Sequence, residues 1–451
     1  MNEDLRCPIT LQIFLEPVIV SDGHTYEKQV IMKVMKKMNN KSPMTRQLLT
    51  NDIQDDIEMK KLVEQHLFDH PEDKDEQYKV VEEEDDPPFT VNSYDEIEYC
   101  VDFRSDDLPD NAMIATFCDD FDGNMGKYAN LLKQLNISLI LFEGGFNKEL
   151  DFTGYEDHIE YLDLGSSYNK AIDLSKMSNL KGININGKLI NCDGFKHNRK
   201  LKEIHILNNL GCPFQLSECE DLTVLNVRGN IKGDFDLSKN VNLERLQIST
   251  KGVHSFDLSK NVKLTHLRIV NSTVHELDLT NNTQLKHLVI HGDITCLLDL
   301  SKNINLKVIN LDSRVLSELD TSKNIKLECL HITSDILPDF NLSNNKQLQI
   351  LYLNGKMLNC LDLSENKELW ALNIIACDSI VKLDLTNNKQ LQRLNIERIN
   401  EDYIDISENI NLVDIYLSNS ESMVDYRKYP KMEHGEVWTN GTCYRYNALG
   451  N

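Results

Sequence analysis

The sequence predicts a small α+β domain followed by a solenoid whose coils stack a parallel β-sheet along one concave face. Three features predict it: a unit of 21 residues that recurs through the second part of the chain, an N-terminal segment with a different grammar, and an acidic run between them.

The repeat reads most cleanly at Leu298 to Leu311, LDLSKNINLKVINL, and returns as FDLSKNVNLERLQI from Phe235, FDLSKNVKLTHLRI from Phe256, LDLTNNTQLKHLVI from Leu277, FNLSNNKQLQILYL from Phe340 and LDLSENKELWALNI from Leu361. An anchor leucine before each L-x-L/I strand falls at Leu180, Leu201, Leu222, Leu243, Leu264, Leu285, Leu306, Leu327, Leu348 and Leu369 in steps of 21, and one inserted residue then moves the next to Leu391 before Leu412 resumes. Ile159, followed by YLDL, continues the series backward. No single coil can bury its own leucines, so a fixed period of this length implies stacked coils sharing one core. Within Leu246-Gln247-Ile248 the alternation sends the two aliphatic residues inward and Gln247 to solvent, the period of a strand. These residues resemble the leucine-rich repeat family, in its short variants of 21 residues, from about Ile137 to Leu417.

The asparagine that most such repeats carry just after the strand is absent; Lys251, Ser272 and Lys356 stand near its place. A column recurs in the second half instead: Asn240, Asn261, Asn282, Asn303, Asn324, Asn345, Asn366, Asn388 and Asn409. Repeated buried amides bond the backbone groups freed at a corner, so the column is read as a structural ladder. A parallel column of aspartates (Asp236, Asp257, Asp278, Asp299, Asp320, Asp362, Asp384) is read as turn capping or pairing with Lys239, Lys260, Lys302 and Lys323, because no glycine-rich calcium repeat accompanies it.

At 451 residues there is room for two or three domains. Of the formal charge of -24, residues 69 to 110 supply -14, from seventeen acids against three bases. That balance argues against nucleic acid and against an anionic membrane surface as partners, both of which need a basic footprint. Eleven cysteines without framework spacing read as free thiols in a reducing compartment. With no leader and no run of about 20 apolar residues, the expected location is the cytoplasm, or a host's cytoplasm for a viral protein or bacterial effector.

Residues 5 to 68 hold two loop-like stretches separated by a helix expected to start after Thr25 as N-cap, with Val30, Ile31, Val34, Met35 and Met38 on its apolar face. A second helix carries Met59, Leu62, Val63, His66 and Leu67. The segment resembles the U-box family of ubiquitin ligases through C-P-I-T-L at Cys7 to Leu11, E-P-V at Glu16 to Val18, G-H-T-Y-E at Gly23 to Glu27 and S-P-M-T-R at Ser42 to Arg46. A zinc-held RING of related shape needs about eight Cys and His ligands. Only Cys7, His24 and His66 are present, so neither metal nor cofactor is expected, and Asp22, His24, Glu27, Ser42, Arg46 and Asn51 are the polar residues available as staples. Val34 stands where family members often have Trp, and Ser42 where they often have Cys.

The expected domains are a U-box at 1–68, an acidic flexible linker at 69–93, an N-terminal cap at 94–136 with a helix over Met125 to Leu135, the repeats at 137–417 and a C-terminal cap at 418–451 with Trp438, Tyr444 and Tyr446. The resemblance implies a ubiquitin ligase that recruits a ubiquitin-charged conjugating enzyme through Ile9, Leu11 and Pro43, with Arg46 bridging that enzyme and ubiquitin. The solenoid is expected to hold a protein substrate. A non-catalytic adaptor or decoy, possibly a pathogen effector, is the alternative, and a hydrolase built on the solenoid is disfavoured because no nucleophile motif recurs. On the strands, residues two and four after the anchor face away from the leucines, which places Arg245, Gln247, His266, Arg268 and His287 in one cationic stripe for an acidic substrate surface. Tyr352 and Trp370 lie further along.

Overall fold

The computed structural model describes residues 5 to 447 except 11, 38–39, 46, 51, 78–88, 94–112, 118–120, 143–144, 171, 186–192, 208–214, 230–235, 250–254, 271, 315, 317, 338–340, 357–360, 378–382, 398–403, 419–433 and 440–441. The chain divides into two compact units, Met1–Asn208 and Asn209–Asn451.

In the first unit a three-stranded antiparallel sheet is ordered β2-β1-β3, from β1 (Pro17–Ile19), β2 (Thr25–Glu27) and β3 (Gln54–Asp55). Helix α1 (Lys28–Lys37) follows β2 directly and buries Ile31, Val34 and Met35 in a core with Phe14, Val18 and Tyr26. Val30 is half-buried, and Met38 lies outside the described residues. Thr25 is not the helix cap: it sits in β2, and its hydroxyl donates to Asp56 Oδ2 at 2.7 Å. Asp56 is itself the N-cap of α2 (Ile57–Asp69), accepting from the Met59 N–H at 2.9 Å. Of α2 only Val63 is buried, while Leu62 and Phe68 are exposed.

Two described stretches of the acidic run take regular structure. Pro71–Glu76 form a 3-10 helix in which Asp73 bonds His66 of α2 at 2.9 Å, and Gln77 Nε2 donates to the Phe14 carbonyl at 2.9 Å. Strand β4 (Phe89–Ser93) pairs antiparallel with β5 (Met113–Phe117), so the cap begins ahead of residue 94. From β5 the sheet runs parallel through β6 (Leu139–Phe142), β7 (Tyr161–Asp163), β8 (Gly182–Ile185) and β9 (Glu203–Ile206). The helix expected over Met125 to Leu135 is a 3-10 turn, Met125–Tyr128, leading into α3 (Ala129–Gln134). Beneath these coils Phe117, Phe121, Phe142, Phe146 and Tyr168 are buried, consecutive rings lying 4.5, 6.1, 4.7 and 6.3 Å apart. Large apolar rings close a solenoid end that has no preceding coil to cover it.

The second unit holds the regular repeats: β10 (Val224–Arg228), β11 (Arg245–Ser249), β13 (His266–Val270), β15 (His287–His291), β16 (Val308–Asp312), β17 (Cys329–Ile336), β18 (Ile350–Lys356), β19 (Ala371–Ile375), β20 (Arg393–Glu397) and β21 (Asp414–Ser418). They pair in parallel, each residue facing its equivalent one repeat away. Two short strands, β12 (Ser255–Phe256) and β14 (Glu276–Leu277), pair on another side of the coils. The antiparallel pair β22 (His434–Thr439) and β23 (Thr442–Asn447) follows, β22 pairing parallel with β21.

The asparagine column is the ladder the repeat predicts. Asn261 Nδ2 donates to the carbonyls of Asn240 (2.8 Å) and Leu237 (3.1 Å), and the pattern recurs through Asn409, each of these amides being 0% exposed. At the inserted residue Asn388 reaches back 22 and 25 positions instead of 21 and 24, so the ladder continues unbroken. The first unit has a rung of the same kind, Asn198 Nδ2 donating to the Leu174 and Met177 carbonyls. The aspartates cap turns: Asp236 Oδ1 accepts from the Ser238 N–H at 2.9 Å, as do Asp257, Asp278, Asp299, Asp320, Asp362 and Asp384 from the residue two positions on. Gly355 has φ of 154°, and a Cβ there would meet the Ser334 carbonyl at 1.9 Å.

Candidate functional site

In the N-terminal domain two carboxylates tie the loops together. Asp22 accepts from the Ser42 hydroxyl (2.5 Å), the Tyr26 hydroxyl (2.8 Å) and the His24 N–H (2.9 Å). Ser42 Oγ in turn accepts from the N–H groups of Met44 and Thr45, so one hydroxyl organises the whole second loop. Burial pushes the Asp22 carboxyl up, but these hydrogen bonds outweigh it and hold it below the ordinary carboxylate value. Glu27 accepts from the N–H groups of Leu15 (2.8 Å) and Glu16 (3.1 Å), fixing the first loop. Its own pKa is raised, because burial exceeds what those two donors return. Cys7, 0% exposed, takes the Glu27 N–H on its sulfur at 3.2 Å. Of the predicted staples, Asp22 and Ser42 are thus joined to each other, Glu27 holds the first loop separately, and Arg46 and Asn51 lie outside the described residues. No group of three metal-ligating side chains occurs among the described residues.

Two of the three residues assigned to conjugating-enzyme contact are among the described residues. Ile9 is 2% exposed and Pro43 is buried, so both underlie their loops rather than form the surface; Leu11 lies outside the described residues. The apolar side chains that reach solvent beside Pro43 are Met44, at 50% exposure, and Leu48, at 75%. Sequence pattern missed them because an exposed Met or Leu in a loop has no periodic signature.

On the solvent side of the second unit's sheet, register brings the predicted stripe together: Arg245 faces His266, His266 faces His287, and Gln247 faces Arg268. The rings of His266 and His287 stack at 4.4 Å and 8°. Burial first, then Lys307 and other neighbouring cations, lowers the His287 pKa, so the His287 ring adds little positive charge to the stripe at neutral pH. Arg228, which the sequence reading omitted, adds another: with the Gln247 amide oxygen turned toward it, its guanidinium donates at 3.1 and 3.2 Å. The row of His331 and Tyr352, stacked at 3.9 Å, continues into Asn373, Asn395 and Tyr416. The same anchor rule, carried past Leu369 with its one-residue shift, identifies those last three. Trp370 stands apart from the stripe, with the Arg393 guanidinium 5.9 Å from its ring.

The U-box domain family model matches residues 2–72. U-box domain-containing protein 18 of Arabidopsis thaliana is 35% identical over 65 residues, covering 14% of this chain and 9% of that protein. U-box domain-containing protein 12 of the same plant is 45% identical over 51 residues, 11% of this chain and 8% of that one. The putative E3 ubiquitin-protein ligase LIN-1 of Lotus japonicus is 43% identical over 51 residues, 11% of this chain and 3% of that one. The chain therefore spans under a tenth of the length of these relatives. Among solved structures, the functional domain of InlJ from Listeria monocytogenes superposes with a TM-score of 0.57 at 27% identity, covering 64% of this chain and 66% of that one. No helix among the described residues is long and apolar enough to cross a membrane. Loops stapled by Asp22, Ser42 and Glu27, followed by laddered parallel coils, make this chain an N-terminal U-box domain joined to a leucine-rich-repeat-like solenoid.

Proposed function

We propose that the protein is a ubiquitin ligase whose U-box receives a ubiquitin-charged conjugating enzyme and whose solenoid receives a protein substrate in the cytoplasm. The observation that carries this reading is the union, in one chain, of a U-box with its loops held by side chains and a sheet presenting arginines from three successive strands, Arg228, Arg245 and Arg268, on its solvent side. The chemistry is transfer: a substrate lysine amine attacks the thioester carbonyl, an isopeptide bond forms, and the conjugating enzyme's thiol leaves. The U-box contributes no nucleophile to that step; it supplies proximity and orientation, which are worth several kcal/mol of barrier. In this reading Met44 and Leu48 join Leu11 in the apolar contact, Ile9 and Pro43 underlie it, and Arg46 bridges enzyme and ubiquitin with a planar fork of donors. The arginine stripe takes an acidic substrate surface.

Burial of Ile9 and Pro43 favours a second reading, a non-catalytic adaptor whose U-box engages no conjugating enzyme. An in vitro ubiquitination assay with a panel of conjugating enzymes separates the two: the ligase accelerates discharge and accumulates ubiquitin conjugates, and the adaptor does neither.

A further inference from the structure

Farther along the same sheet lies a concavity of about 660 Å³, lined among others by Ile350, Tyr352, Ala371, Asn373, Asn395 and Tyr416. One small residue stands out in its lining. In the row that reads Val308, Cys329, Ile350, Ala371, Arg393, the alanine leaves a notch between an isoleucine and an arginine. The walls are held in place: Tyr352 stacks on His331 at 3.9 Å, and Arg393 is fixed by Asp414 Oδ2 at 3.2 Å and by the Trp370 ring. Beside the notch, Asn395 Nδ2 donates to Asn373 Oδ1 (3.4 Å) and Glu397 Oε1 (3.3 Å), while Asn395 Oδ1 is buried and finds no donor among the described residues. A buried acceptor left without a donor is costly, and a small rotation of that amide offers it to an N–H entering from the concavity.

Charge differs between the two ends of the sheet. The rim here carries Arg393 against Asp414 and Glu397, whereas the other end carries Arg228, Arg245 and Arg268. From β13 to β19 there are five strand pairings, about 24 Å at ~4.8 Å each. An extended chain covers that distance with about seven residues.

We infer that the occupant of this face is a single extended polypeptide segment of the substrate, with an acidic cluster on the arginine stripe and, about seven residues away, an apolar side chain seated over Ala371 with its main chain bonded by Asn373 and Asn395. The inference rests on the stripe as acceptor of acidic groups and adds the second anchor, the spacing and the extended conformation. The two ends are complementary, since the stripe supplies the positive charge that the pocket rim, with Arg393 against Asp414 and Glu397, lacks.

The test pans a displayed library of random peptides of about 16 residues, long enough to reach both ends, on the full-length protein. Enriched peptides are expected to carry acids and an apolar residue about seven positions apart. Ala371→Arg, which fills the notch with a side chain the same row already carries at Arg245 and Arg393, should weaken a representative peptide about 30-fold without changing the melting curve. Arg245→Glu with Arg268→Glu should weaken it independently. Full affinity in Ala371→Arg with loss in the arginine pair overturns the pocket and leaves the stripe standing. Loss in Ala371→Arg alone removes the acidic anchor, and with it the two-point segment and the stripe assignment. No enrichment at all overturns the extended peptide as the ligand class.

Discussion

The Ser42 hydroxyl donates to Asp22 Oδ2 at 2.5 Å, linking two loops twenty positions apart in sequence. Asp22 is fully enclosed as a side chain, so its lone pairs have no water to fall back on. A hydrogen bond to a charged group contributes about 1.5–3 kcal/mol. Ser42→Ala should therefore lower the stability of the N-terminal domain by about 2 kcal/mol, read from the protection of its amides against hydrogen exchange in the full chain. Addition of a chelator should leave the same protection unchanged.

The asparagine ladder makes a larger demand. Asn303 donates to the carbonyls of Leu279 (3.0 Å) and Asn282 (2.9 Å) from a site with no exposure. Asn303→Ala removes one of the two hydrogen bonds at each carbonyl, Leu279 keeping the Asn282 N–H and Asn282 the Leu285 N–H, and leaves a void where the amide stood, at a cost of about 3 kcal/mol. Lys302→Ala, one residue earlier and exposed, should stay within about 0.5 kcal/mol of the parent. Urea melts of the two variants compare them directly.

Acid should destabilise the repeats in two stages. Burial lowers the pKa of His287 and His331, and hydrogen bonds from the Ser or Thr two residues on lower those of Asp236, Asp257, Asp278, Asp299, Asp320 and Asp362. A group with a depressed folded pKa is less protonated folded than unfolded, so its contribution holds above the unfolded value and is lost as pH falls toward the folded one. The histidine part is lost below the ordinary 6.5 and the carboxylate part below 3.8. Glu27 has the opposite sign: its contribution is full below the ordinary 4.5 and is lost as pH rises through its raised value. Thermal melts of the full chain between neutral pH and pH about 3 should show the sheet signal weakening monotonically with acid.

Charge reversal on the stripe separates recognition from transfer. Arg245→Glu with Arg268→Glu should cut capture of an acidic substrate about tenfold or more and leave self-ubiquitination at the parent rate. Retained capture in the double variant would move the substrate to another face.

How far the sequence carried depended on period. The strict step between anchors determined strand register, the buried leucines and the facing of Arg245, His266 and His287 without further input, because a solenoid repeats one contact set. Where the chain stops repeating, composition misled: acids and prolines hid the short helix at Pro71–Glu76 and β4, both held by contacts to distant residues such as Phe14 and Phe117. Thr25 illustrates the same limit. A Thr before an amphipathic run reads as a cap, yet its hydroxyl is engaged by Asp56, 31 positions away. Ile9 and Pro43 were legible as motif residues but not as buried ones, since a loop's burial depends on what packs over it.

The most direct test of the account mixes the full-length protein with ubiquitin-charged conjugating enzymes and follows thioester discharge together with conjugate formation. Discharge is expected to accelerate with at least one enzyme of the panel, with ubiquitin appearing on the protein itself. Arg46→Ala should slow it without loss of binding, and Met44→Ala with Leu48→Ala should weaken binding about 30-fold. Discharge at the uncatalysed rate with every enzyme tried, by a protein whose U-box is folded, would contradict the assignment as a ligase.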